Sequence, residues 1–133
     1  MFRPISFQIV RALVHVAVVS VVMLGVSIGI GHTEEFLSVL NDMPLAPGLI
    51  ELTDQAADFE TPAGRIIDAA AQGEAGSATV SAFYDTTLPA LGWVREGQGL
   101  FVRDHESLTI AIAPAARKGW ITARFSLRPR DNR

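Results

Sequence analysis

The 133-residue chain has no cysteine. That excludes disulfides, thiolate nucleophiles, Cys-ligated zinc and a lipidated-cysteine anchor. It leaves the compartment open, because a disulfide-free domain suits either side of a membrane. Charge is missing too, over one long stretch. Ala12 to Ile30 (ALVHVAVVSVVMLGVSIGI) contains no Asp, Glu, Lys or Arg. At about 1.5 Å per residue a helix of this run spans roughly 28 Å, close to the hydrocarbon core of a bilayer. Lipid offers no partners to backbone amides, so the segment is predicted to be a transmembrane helix over about residues 12–31.

The flanks orient that span. Arg3 and Arg11 precede it, while Glu34, Glu35 and Asp42 follow it and the next basic residue is Arg65. The positive-inside rule places the N-terminus in the cytoplasm and residues 32–133 outside it, a space that in a bacterial protein is the periplasm. The competing reading is a cleaved signal peptide and a soluble periplasmic product. The run exceeds the roughly 7–15 residues of a signal core, and its small-residue sites lack the favoured alanines.

Catalytic signatures are also scarce. The histidines are His15, within the span, His32 at its far boundary, and His105. Asp104-His105-Glu106-Ser107 is the densest polar cluster, but neighbours on a tight turn diverge, and no G-x-S-x-G elbow is present. There is no H-x-x-x-H pair or acidic calcium loop, and Gly97-Gln98-Gly99 is a lone G-x-G without a following helix. No catalytic, metal or cofactor residue is therefore assigned. Within the span, Gly25 and Gly29 form a G-x-x-x-G, a candidate helix–helix contact for a membrane-protein partner or for self-association.

Charge outside the membrane is uneven. Residues 34–85 carry ten acidic side chains against Arg65 alone, whereas residues 86–133 carry eight basic and four acidic. Two halves that neutralise each other within one fold explain this, and a basic C-terminal surface is the alternative. The C-terminal arginines lack the interleaved aromatics of a nucleic-acid site, so no nucleic-acid partner is expected.

Along the chain, residues 1–40 read as a cytoplasmic stub, the span, and a helical extension in which Phe36, Leu37 and Leu40 share one face. Residues 41–48 (NDMPLAPG) read as a stiff Pro/Gly linker, and 49–133 as the folded domain. Thr61-Pro62-Ala63-Gly64 is a turn signature ahead of an alanine-rich strand, Arg65 to Gln72, for which a helix is the alternative. Ser77 is a candidate N-cap. Val80, Phe83, Tyr84, Leu88 and Leu91 then form one apolar stripe of a helix closed by Gly92. The remainder alternates with a period of two, in segments around Val94, Phe101, Ile110 and Phe125. The predicted fold class is α+β: a small antiparallel sheet packed against one main helix.

The motifs MPLAPGL, TPAGRI, AFYDTTLPALGW and LFVRDHESLTIAI together resemble a type of small membrane-anchored bacterial envelope protein, common in alphaproteobacteria. The resemblance spans most of residues 43–112 and is most specific at Phe83, Tyr84, Leu88, Pro89, Leu91, Gly92 and Trp93. It implies an envelope location and this fold, and it brings no activity or site residue with it. Tyr84 and Trp93 are expected either in the core or as the floor of a pocket.

These readings make the chain a single-span protein, held in the bilayer through residues 12–31, whose periplasmic domain binds a partner and is not an enzyme. The alternative is a small-ligand carrier or an enzyme with a pocket between helix and sheet.

Overall fold

A computed structural model describes residues 33–130. The predicted span and its Gly25 and Gly29 lie outside the described residues. Among those residues no helix is long and apolar enough to cross a membrane.

The domain is a small, sheet-rich α+β fold with one helix and antiparallel sheets. Strands β1 (Phe36–Leu37) and β2 (Leu40–Pro44) pair as a tight hairpin. β3 (Ile50–Glu51) follows, then a 3-10 turn (Thr53–Gln55), β4 (Ala57–Thr61) and β5 (Gly64–Gly73). Helix α1 (Ser77–Ala90) leads into β6 (Val94–Gly97), β7 (Leu100–Arg103), β8 (Glu106–Pro114) and β9 (Ile121–Pro129). The main sheet runs β3-β5-β9-β8-β7-β6, with β4 beside β3 on the same edge of β5.

The alternation in the sequence divides the two faces of this sheet. Ile67, Ala69 and Ala71 of β5 lie on one face with Ala123, Phe125 and Leu127 of β9 and Leu108 and Ile110 of β8, all buried. Val80, Tyr84 and Leu88 of α1 bury their stripe in the same core. Side chains in such a core contribute about 1.5–3 kcal/mol each on full burial. Phe83 is only partly buried beside the stripe, and Leu91 is exposed.

Helix α1 begins one residue earlier than a Ser77 cap requires. Gly76 is the N-cap, in extended conformation, without a side-chain cap bond. At the other end Gly92 has φ +87°, which turns the chain toward β6 as expected of a left-handed cap. Residues 65–72 are strand rather than helix. Ala69 and Ala71 face the core, where a small residue lets neighbouring backbone approach, and Ala70 lies on the opposite face.

Residues 33–48 differ from expectation. Over the described residues 33–40 the expected helical extension is instead the β1–β2 hairpin, and the expected linker over 41–48 continues β2 and places Met43, Pro44 and Ala46 in the core. Leu37, Leu40, Met43, Ala46 and Leu49 are all buried. The physical reason lies in shared spacing: apolar residues at 37 and 40 suit one face of a helix or two facing positions of a tight hairpin. Here Leu37 lies directly opposite Leu40. The folded unit accordingly starts at Thr33, not at residue 49.

Candidate functional site

Tyr84 and Trp93 occupy different places. The Tyr84 hydroxyl donates to the Pro44 carbonyl and accepts from the Ala46 amide, both at 3.1 Å. Burial pushes that phenol well above its ordinary pKa, and the Ala46 amide partly opposes the shift. Its ring packs edge-on against Phe83 and Phe125. The polar tip is thus consumed within the core. Trp93 is also buried, its ring under the guanidinium of Arg103 at 4.2 Å, and its Nε1 has no acceptor among the described residues. Arg103 reaches onward to Asp42 at 2.6 Å and to the Leu91 carbonyl at 3.1 Å. This chain of contacts ties β2, the end of α1, and β7 together.

A cleft of about 430 Å³ opens between the first half of α1 and the β6–β7 turn. Ala78, Ser81 and Ala82 of the helix are small, so Phe101, Ile110 and Ile112 form a floor that the helix does not fill. Ser77, Ser81 and Gln98 supply neutral polar groups at its rim. Asp85 also lines it and is paired with Arg95 at 3.0 Å. Tyr84 borders the cleft with its ring, whereas Trp93 does not line it. Sequence reasoning missed Ser77, Ser81 and Gln98 as a group, since the turn and helix meet only in the tertiary fold.

The polar cluster at 104–107 is divided between a turn, Asp104 and His105, and the start of β8, Glu106 and Ser107. Asp104 has φ 52° and is exposed with His105, while Glu106 holds Arg65 through Nε and Nη2 at 3.0 and 3.2 Å. That hydrogen bond and the Glu106 charge raise the Arg65 pKa, against an opposing effect of burial. No group of three potential metal ligands forms among the described residues.

The other face of the sheet has no helix over it. Registration sets out its rows: Ile50, Gln72, Thr122 and Ala113 in one, then Ala70, Arg124 and Ala111, then Ala57, Asp68, Ser126 and Thr109. Val94, Val102, Ser107 and Arg128 form another. Phe59, opposite Ile66, lies on the same face. Of the five exposed large apolar side chains among the described residues, three are here: Ile50, Phe59 and Val94 at 64, 59 and 62% exposure. Arg128 reaches Asp68 through both carboxylate oxygens at 2.9 and 3.0 Å. Burial raises the Asp68 pKa, but hydrogen bonds from Arg128 and Ser126 outweigh it and the net shift is downward. At the corner, Arg130 pairs with Glu96 at 2.8 Å.

Set against known protein families, curated proteins and solved structures, the chain matches none.

Proposed function

We propose that this is a single-span bacterial inner-membrane protein whose domain faces the periplasm and works by binding another envelope component, without catalysis. The span over residues 12–31 supplies the anchor in this reading, through its uncharged length and the basic residues that precede it. The open sheet face supports the binding role. Ile50, Phe59 and Val94 stand exposed on one face, on its edge strands β3, β4 and β6, where a partner laid across the sheet would meet all three. A mild-detergent pull-down of the chromosomally tagged protein, repeated with the span replaced by an unrelated one, tests the reading. A partner retained after replacement assigns binding to the domain. Loss on replacement assigns it to the span and its Gly25 and Gly29. No partner in either form removes the proposal. A soluble mature product beginning near Gly31 removes the anchor.

The cleft beside α1 favours a second reading, a carrier of a small ligand. Its volume falls within the roughly 300–1,000 Å³ of small-molecule sites. Ala82→Leu would fill it. A ligand screen by thermal shift in which hits vanish with this variant would favour the carrier, and an empty screen would retire it.

A further inference from the structure

Eight cationic side chains lie in residues 33–130, and five of them are each held by a carboxylate. The three with no carboxylate partner among the described residues are Arg117, Lys118 and Arg124, and all belong to the β8–β9 hairpin. This is not for want of acids, because the whole chain has 14 against 11 basic residues. Arg117 and Lys118 are exposed in the turn, with the Arg117 guanidinium 4.2 Å over the Trp120 ring. Arg124 is exposed on the helix-free face, with alanines opposite it on both neighbouring strands, Ala70 and Ala111. Among the described residues its guanidinium donates one hydrogen bond, to the Gln55 side-chain oxygen at 3.4 Å. Ala70 is buried, but Ala111 is small and exposed, and on that side an incoming carboxylate can pair with the guanidinium in a forked geometry.

We infer that the helix-free face and the β8–β9 hairpin together form a docking surface for a protein partner that presents carboxylates among apolar side chains. The carboxylates meet Arg124, Arg117 and Lys118, and the apolar groups meet Ile50, Phe59 and Val94. This deepens the binding reading above and rests on it. Six strand positions at about 4.8 Å and strands of up to about 30 Å give a face on the order of 600 Å², comparable to one side of a standard interface. Arginine set among apolar groups is a residue type that dominates binding energy at such interfaces. An anionic bilayer fits less well. Lipid-surface recognition draws on clusters of about four to eight basic residues, and this face with its hairpin offers three that lack a carboxylate partner among the described residues.

The test uses the full chain in the membranes of cells that produce it, with a benzophenone amino acid at Ala111 or, for comparison, at Thr86, which is exposed on α1. Irradiation is expected to give one discrete protein adduct from position 111 and none from 86. That adduct falls at least tenfold with Arg124→Glu and with the double change Arg117→Glu and Lys118→Glu, and the crosslinked peptide carries Asp or Glu. Circular dichroism of the purified variants checks that they fold. Lipid adducts, a dimer of this chain, equal adducts from 86, indifference to both charge reversals, or no adduct would each overturn the inference. Carbonate extraction of the same membranes separates the two ideas. A chain released by carbonate with its adduct intact removes the anchor and leaves the docking surface standing.

Discussion

The Tyr84 hydroxyl bonds to two groups forty residues or so earlier in the chain, the carbonyl of Pro44 and the amide of Ala46. That pair of bonds fastens the segment after β2 to the middle of α1.

Tyr84→Phe therefore leaves one buried donor and one buried acceptor unpaired. It is expected to destabilise the domain by about 1–3 kcal/mol, read as a lower urea midpoint with an unchanged slope. The pKa of Tyr84 is raised in the folded state, so its contribution is complete below the unfolded value of about 10 and is lost as pH rises beyond it. The wild-type chain should lose stability above that pH more steeply than the phenylalanine variant. Equal alkaline slopes would show that the phenol is not held protonated by the fold.

Arg103 and Asp42 are paired, yet the two sides are unequal. Asp42→Ala removes one half-exposed partner and should cost at most about 1 kcal/mol. Arg103→Ala also uncovers the Trp93 ring and frees the Leu91 carbonyl, adding roughly 1 kcal/mol or more. Thermal unfolding of the two variants should rank Arg103→Ala clearly lower, and a reversed order would mean that the stacking contributes nothing.

Asp68 offers a test at the acid end. Its folded-state pKa is depressed, so the stabilisation it provides is present above the unfolded value of about 3.9 and disappears as pH falls through the folded one. Asp68→Asn should be less stable than wild type at pH 7, with the gap closing below about pH 4. A gap that persists unchanged at low pH would point away from the Arg128 and Ser126 contacts.

A methyl group at Gly73 would collide with the backbone carbonyl of Gly48. Backbone cannot swing aside as a long side chain does, so Gly73→Ala should cost about 1–3 kcal/mol or more by overpacking. Gly119→Ala meets no atom nearby but sits at φ +80°, so its smaller cost would come from backbone strain alone. Comparing their urea midpoints separates collision from strain.

A chain that begins at residue 49 should not fold, since it lacks Leu37, Leu40, Met43 and Ala46 from the core, whereas one that begins at residue 33 should. Cooperative unfolding of the shorter chain, seen by near-ultraviolet circular dichroism, would show the hairpin to be dispensable.

Much of this architecture is written locally. The two-residue alternation from Leu108 to Ile112 and from Ile121 to Leu127, the stripe through Val80, Tyr84 and Leu88, and the Pro62-Gly64 turn each follow from side-chain chemistry over a few neighbours. The long uncharged run from 12 to 30 is equally a property of sequence alone. What the sequence could not settle is contact between distant segments. Leu37 and Leu40 suit a helix as well as a hairpin, and only burial against the core chooses between them. Tyr84 and Trp93 were readable as core or pocket, and the direction of the Tyr84 hydroxyl followed from where Pro44 and Ala46 come to lie. The cleft rim at Ser81 and Gln98, and the gathering of Ile50, Phe59 and Val94 on one face, depend on strand order and register across the sheet. Periodicity states which side of a strand a residue takes, but it does not state which strand lies next to it, and that was decided by tertiary packing.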